Sequence, residues 1–168
     1  MNYGSVVGRC IIFVSLAGAG SAVDTVQAAG RAAGSDAAVG EITRLVSRYV
    51  QAADAADTKL ASEVWANAAD VSMIYPGGYE PGWEAIKTNF YEKTMGGVFS
   101  ERKLNIKDVV VHAYRDAAWV EFAWEFAAKL RANGAPLTNR GRESQVYRKS
   151  NGRWRLVHVH YSALPATR

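Results

Sequence analysis

The two histidines near the carboxyl end of the chain are the residues most readily connected with chemistry. His158 and His160 stand two residues apart in the stretch GRWRLVHVHYS. On a β-strand, residues i and i+2 face the same side, so the two imidazoles could share a zinc ion. Zinc needs a third ligand, and the remaining histidine, His112, lies on a strand that we do not expect beside theirs. We therefore predict no metal site and interpret the pair as structural or interface residues.

Glu143 is a second candidate for chemistry, because strand alternation places it on the apolar side of RGRESQVYRK. It is the only carboxylic acid among the residues that we expect to face inward. A carboxylate on an apolar face has a raised pKa, which proton abstraction near neutral pH requires. In the alternative interpretation, Glu143 lies near the rim and pairs with Arg140 or a backbone amide.

The elements that must position these residues follow from periodicity. Residues from Glu41 to Asp57 show the apolar spacing of one helical face. A shorter helix follows over 58–70, and a third begins near Gly82 and ends at Gly96-Gly97. A short strand over 71–76 separates the last two helices. Four longer strands follow, over 104–114, 117–130, 138–149 and 153–164, with turn residues between them. The order predicts an α+β domain with helices on one face of a curved antiparallel sheet.

Alternation along the long strands predicts two faces. The inward set is Val120, Phe122, Trp124 and Phe126; Glu143, Gln145 and Tyr147; and Val157, Val159 and Tyr161. The outward set contains Trp119, Trp154, Leu156, His158 and His160. The outer face is then apolar enough to form a protein contact, and we expect a homodimer through it.

The amino-terminal segment has the features of an export signal. Arg9 precedes an apolar run from Cys10 to Ala19, and Val26-Gln27-Ala28 resembles a signal-peptidase site. We expect residues 1–28 to be a signal peptide, 29–40 a flexible linker, and the mature protein to be periplasmic or secreted. The apolar run is too short for a permanent membrane anchor. Cleavage would remove Cys10, the single cysteine, and with it any thiol chemistry.

The net charge of +4 over 168 residues is modest. Nucleic-acid-binding domains gather basic residues on one face with interleaved aromatic residues, and this chain shows no such pattern. We therefore expect no nucleic-acid partner, and no membrane partner after cleavage. The length fits one domain.

The element order, the GW that opens the third helix, and GRESQVYRKSNGRWRLVHVHYS together resemble the nuclear transport factor 2-like superfamily. Within it, the chain is most similar to SnoaL-like proteins and to the association domain of calcium/calmodulin-dependent protein kinase II. The resemblance covers residues 41–164 and implies a cone-shaped (cystatin-like) fold with three amino-terminal helices. Folds of this type host isomerases, dehydratases, cyclases and non-catalytic assembly modules, so the fold does not decide the chemistry.

The resemblance also implies which residues line the cone. The kinase association domain has basic residues at the positions of Trp124, Gln145 and Tyr161, which point into an anion-binding pocket. Here those positions are not basic, so we expect a pocket for a neutral, largely apolar ligand. The residues expected to bind this ligand are Phe90, Phe122, Trp124, Gln145 and Tyr161. The sequence does not fix the direction of Tyr49 and Tyr75.

Catalysis in the superfamily implies roles for two residues. Enzymes of this kind use a buried carboxylate as general base and a hydrogen-bond donor for the developing oxyanion, which assigns these roles to Glu143 and Tyr161. The hypothesis that we favour is an exported protein that binds a small apolar molecule. The alternatives are a ketosteroid-isomerase-like isomerase, dehydratase or cyclase that needs no cofactor, and a non-catalytic oligomerisation module.

Overall fold

The fold is described from a computed structural model, which covers the backbone of residues 21–165 and the side chains of residues 36–165. Residues 1–20, which hold most of the predicted signal peptide, and residues 166–168 lie outside the described part. Within that part, every helix is too short or too polar to cross a membrane.

Three helical regions precede and flank the first strands. Helix α1 spans Ser21–Ala55, α2 spans Thr58–Val64, and α3 spans Trp83–Ala85 and continues as a π-helix over Ile86–Val98. Asp57 caps α2, because its Oδ1 accepts hydrogen bonds from the backbone N–H groups of Lys59 and Leu60. The sequence interpretation predicts a flexible linker over 29–40, whereas the structure has this segment as part of α1.

Six strands form one sheet in the order β2-β1-β6-β5-β4-β3. Their bounds are β1 Ser72–Tyr75, β2 Gly78–Pro81, β3 Phe99–Ala113, β4 Ala117–Leu130, β5 Pro136–Ser150 and β6 Arg153–Ala163. All neighbours are antiparallel except β1 and β6, which run parallel. The α+β class and the curved sheet are confirmed; the sheet is unclosed, and it is antiparallel as predicted except between β1 and β6. The sequence interpretation missed β2, because its Gly and Pro residues indicate a turn rather than a strand.

The inner face of the sheet packs against the helices. In β4, alternate residues from Ala118 to Ala128 are buried, which confirms the predicted period-2 pattern of this strand. Helix α1 lies over β3 and β6 and presents its buried face to them, as the helical spacing predicted. That face contains Ile42, Leu45, Val46, Tyr49, Ala52 and Ala53.

A β-bulge in β6 corrects one part of the predicted outer face. Val146 pairs with His158, and the next residue of β5, Tyr147, pairs with Leu156, so Val157 is an extra residue in β6. A bulge of this kind reverses which residues face inward on its two sides. Trp154 and Leu156 are consequently buried in the core, 1% and 0% exposed, rather than on the outer face. His158 and His160 remain on the outer face, together with Trp119.

Candidate functional site

A cavity of about 250 Å³ lies between the helices and the inner face of the sheet. Its walls are mostly aromatic and aliphatic, with Glu143 as the single acidic residue among them. Gly77 and Asn139 are exposed at its edge, while Glu143 is buried. The lining residues are Tyr49, Ala53, Tyr75, Gly77, Phe90, Thr94, Met95, Phe99, Leu104, Trp124, Phe126, Leu137, Asn139, Glu143 and Tyr161.

Glu143 is only 6% exposed, and it is held by hydrogen bonds within the protein. Its Oε1 accepts a hydrogen bond of 2.8 Å from Nε2 of Gln145, and the Tyr49 hydroxyl also donates to the carboxylate. Burial raises the pKa of Glu143 to about 7, although the hydrogen bonds from Gln145 and Tyr49 lower it. A group with this pKa exchanges a proton readily near neutral pH, which makes it suited to general acid/base chemistry.

Tyr161 lies opposite Glu143 on the neighbouring strand, because the two residues are register partners in β5 and β6. Its ring meets the edge of Trp124 at 5.5 Å and stacks on Tyr75 at 5.9 Å between ring centroids. Burial, and then the charge of Glu143, raises the pKa of Tyr161 above its ordinary value. The phenol therefore remains protonated and can donate a hydrogen bond to a bound ligand.

Tyr75 is fixed in the cavity wall by the β1–β2 hairpin. Its hydroxyl donates to Oε1 of Glu80 at 2.9 Å, and the Asn89 side chain donates to Oε2 of the same carboxylate at 2.7 Å. Glu80 is buried, and it thereby links β1, β2 and the π-helix. A Cβ at Gly77 would stand 2.7 Å from the Tyr75 ring, so glycine leaves the space that the ring occupies.

Trp124 forms another wall and depends on Gly141, its register partner in β5. A Cβ at Gly141 would overlap the Ser162 carbonyl oxygen and would lie 2.7 Å from Cζ2 of Trp124. Glycine at this position therefore lets the indole lie against the sheet. The indole N–H of Trp124 is buried and makes no hydrogen bond within the described residues.

The structure brings together four of the six site residues predicted from sequence. Phe90, Trp124, Glu143 and Tyr161 line the cavity, and their functional roles remain predictions. The remaining two, Phe122 and Gln145, face inward and are fully buried, but they do not line this cavity.

Tyr49 and Tyr75, whose directions the sequence left open, also line the cavity. The helical spacing of α1 predicts that Tyr49 lies on the buried face. The sequence does not show which of the buried residues line the cavity. The alternative interpretation, in which Glu143 lies near the rim and pairs with Arg140 or a backbone amide, differs from the structure, because the side chain is buried against Gln145 and Tyr49.

The histidines lie on the other side of the sheet. His158 Nδ1 is 2.8 Å from the Ser72 hydroxyl, and burial, followed by the neighbouring His160, lowers the pKa of His158. The His112 ring packs on Trp119 with 4.6 Å between ring centroids, in β3, three strands from β6. Over the part of the chain that the structure describes, no three His, Cys, Asp or Glu side chains come together as a cation site.

Comparison with known proteins identifies the family. The SnoaL-like domain model matches residues 42–167, and the chain therefore belongs to the SnoaL-like domain family. A nuclear transport factor 2-like superfamily protein from Salmonella enterica serovar Typhimurium is 43% identical; the match covers 76% of this chain and 92% of that chain, with a TM-score of 0.73. No curated protein matches the chain.

Two more distant structures share the fold alone. A candidate dehydratase of the nuclear transport factor 2-like family from Streptomyces avermitilis is 20% identical, with a TM-score of 0.68, over 78% of this chain and 99% of that chain. A hexachlorocyclohexane dehydrochlorinase is 15% identical, with a TM-score of 0.66, over 78% of this chain and 91% of that chain. These likenesses confirm the fold predicted from sequence.

Proposed function

We propose that this domain binds a small, largely apolar molecule in its cavity and catalyses a proton transfer on it without a cofactor, as an isomerase or lyase. The observation that carries the proposal is the position of Glu143, a buried carboxyl with a pKa of about 7 in the wall of an apolar cavity. A buried acid without a strong counter-charge is costly to maintain, and such groups concentrate at functional sites.

The proposed chemistry uses two side chains from neighbouring strands. The Glu143 carboxylate takes a proton from a carbon of the ligand that lies next to a carbonyl group or one carbon from a leaving group. Tyr161 donates its hydrogen bond to the oxygen or leaving group on which negative charge develops. Trp124, Tyr75 and Phe90 exclude water and hold the apolar part of the ligand.

The cavity limits the class of ligand. About 250 Å³ lies below the range of roughly 300–1,000 Å³ that is typical of drug-sized ligands, so a compound with one ring fits better than a steroid with four rings. An anionic ligand would meet the charge of Glu143 without a lining Lys or Arg to balance it. We therefore favour a neutral ring compound that carries a carbonyl, hydroxyl or halogen substituent.

Two of the structural neighbours are named for elimination reactions, which require a base to remove a proton from carbon. One is a candidate dehydratase and the other a dehydrochlorinase. At 20% and 15% identity they share only the fold with this chain, but their reactions fit a cavity with one ionisable base. We therefore propose elimination as the lyase reaction and isomerisation as the alternative reaction.

We also propose that the mature protein is exported after cleavage behind Ala28, and that it forms a homodimer through the outer face of the sheet. The support for export is the apolar run with the small residues that follow it. Mass spectrometry of the protein purified from its native host should find Ala29 as the first residue, and an intact Met1 would contradict export.

The function is tested with a panel of monocyclic ketones, cyclic alcohols and chlorinated cyclohexanes. Thermal shift measures binding, and NMR measures deuterium uptake from D2O at the acidic C–H of each bound ketone. We expect neutral compounds to raise the melting temperature of the wild type and Trp124→Ala to abolish the effect. Glu143→Gln should retain binding but slow deuterium exchange by about a hundredfold or more.

The matched control is Glu125→Gln, which removes an exposed carboxylate from the outer face of β4 and should leave both readouts unchanged. If Glu143→Gln exchanged deuterium as fast as the wild type, the domain would be a binding protein without this chemistry. If acetate or glutamate stabilised the wild type and the neutral compounds did not, the ligand class would be wrong.

A further inference from the structure

Three consecutive inward residues of β5 form a hydrogen-bonded chain beneath the cavity. The Tyr147 hydroxyl donates to Oε1 of Gln145 at 2.6 Å, and Nε2 of Gln145 donates to Oε1 of Glu143 at 2.8 Å. Tyr147 and Gln145 are both 0% exposed, and neither lines the cavity. Only the last member, Glu143, reaches the ligand space.

The direction of these bonds determines what Gln145 presents to Glu143. A glutamine amide has a donor end and an acceptor end, and it can turn over in its site. With Tyr147 donating to the amide oxygen, the amide nitrogen must face the carboxylate. If the amide turned over, its oxygen would face Glu143, and the Tyr147 proton would lose its acceptor in a buried site. The turned arrangement suits a protonated Glu143, whereas the observed one suits the carboxylate.

We infer that Tyr147 is a positioning residue, which locks the Gln145 amide as a hydrogen-bond donor and thereby holds Glu143 ready to accept a proton. The inference rests on the proposed function of Glu143 as a base, and it adds a residue that never touches the ligand. Sequence alternation placed Tyr147 inward but gave it no role beyond the core.

The other groups around Glu143 do not replace this arrangement. The titratable side chains that interact electrostatically with it are Tyr49 from α1, Tyr91 from the π-helix, Tyr161 from β6 and Tyr147 itself. Burial raises the pKa of each of these tyrosines, so all four stay neutral while Glu143 titrates. From β4, the register partner of Glu143 is the apolar Phe122.

The test is a direct titration of the Glu143 side-chain carboxyl by carbon-13 NMR in the wild type, Tyr147→Phe and Gln145→Met. Removal of the Tyr147 hydroxyl frees the amide to turn over, so Tyr147→Phe should raise the pKa of Glu143 by about one pH unit. Gln145→Met should raise it at least as much. The double variant should match Gln145→Met, because Tyr147 acts only through Gln145.

Tyr91→Phe is the matched control, because Tyr91 is also a fully buried tyrosine whose hydroxyl pairs elsewhere, with the Trp65 indole N–H at 3.2 Å. It should lower thermal stability in the same way as Tyr147→Phe and leave the Glu143 titration in place. A Tyr147→Phe titration that matches the wild type or the Tyr91→Phe control would overturn the inference. So would additive shifts in the double variant.

Failure of the inference about Tyr147 and failure of the proposed function would give different experimental results. The titration needs no ligand and no turnover, so it reports on Tyr147 even if every compound in the panel fails to exchange deuterium. In an active protein, Tyr147→Phe should move the acid limb of the pH–rate profile upward by the same amount as the titration and leave KM nearly unchanged.

Discussion

Glu143 couples the proposed chemistry to the stability of the protein. Its pKa is raised from 4.5 to about 7, so between these values the folded state binds a proton that the unfolded state has released. The free energy of unfolding therefore falls as the pH rises from about 4.5 to about 7, and this contribution is constant above that range. At about 1.4 kcal/mol per pH unit, the buried carboxylate costs roughly 3 kcal/mol at pH 8.

We predict that Glu143→Gln is more stable than the wild type above pH 7, by up to about 3 kcal/mol, and nearly equal to it at pH 4.5. A glutamine keeps an oxygen that accepts from Gln145 but carries no buried charge. Urea denaturation of both proteins at intervals from pH 4.5 to pH 8 measures the difference. Parallel stability curves would show that Glu143 does not titrate in this window, while the exposed Glu125→Gln variant should follow the wild type throughout.

Gly141 of β5 pairs with both β4 and β6, and its lack of a side chain determines the position of Trp124 in the cavity wall. Because a Cβ at this position overlaps the Ser162 carbonyl oxygen and crowds Trp124, alanine forces either the strands or the indole to move. We predict that Gly141→Ala lowers the free energy of unfolding by about 2 kcal/mol or more and weakens ligand binding as Trp124→Ala does. Urea denaturation and thermal shift with the ketone panel measure the two effects.

A second glycine provides the comparison for this substitution. Gly40 lies inside α1, where a new Cβ would make only an ordinary contact of 3.8 Å with the Arg44 side chain. Alanine favours a helix interior over glycine by roughly 0.5–1 kcal/mol, so Gly40→Ala should be neutral or stabilising. Equal effects of the two substitutions would refute a special role for the space at Gly141.

The strands also show what alternation can and cannot predict. In β4 the pattern held from end to end, because no extra residue interrupts the pairing. In β6, alternation predicts the correct face for the residues after the bulge and the wrong face for Trp154 and Leu156, which precede it. The bulge cannot be recognised from the residue types of β6, because Trp, Leu, Val and His occur on both the inner and the outer face of a sheet. Burial of the two residues therefore depends on pairing with β5, which the sequence of β6 does not contain.

The candidate site was predictable to the same degree. Glu143, Tyr161 and Trp124 lie on regular stretches of strand, so alternation placed them inward. Alternation does not predict how deeply an inward residue is buried. Gln145 faces inward like Glu143, yet its amide forms hydrogen bonds with Tyr147 and Glu143 and does not line the cavity. Likewise, Tyr75 is held in the cavity wall by Glu80 of β2, and the sequence did not predict this contact because the Gly and Pro residues of β2 indicate a turn rather than a strand.

Across the whole sheet, the outer face carries two rows of residues that run through consecutive strands. The first row contains His112, Trp119, Val146, His158 and Ser72, and the second contains Val110, Glu121, Ser144, His160 and Ile74. Trp119 is 40% exposed and its register partner Val146 is 37% exposed, so two large apolar side chains lie side by side at this surface. Glu121 and Arg142 form no ion pair within residues 36–165. A surface that mixes exposed apolar side chains with side chains of both charge signs suits a second copy related by a two-fold axis.

We predict that the protein is a dimer at micromolar concentration and that Trp119→Arg converts it to a folded monomer. Light scattering after size exclusion measures the mass. Tyr114→Arg, in the exposed turn between β3 and β4, is the control and should stay dimeric. If Glu121 and Arg142 meet across the two-fold axis, Glu121→Arg should weaken the dimer and the added Arg142→Glu should restore it. A wild-type protein that is monomeric under these conditions refutes the dimer.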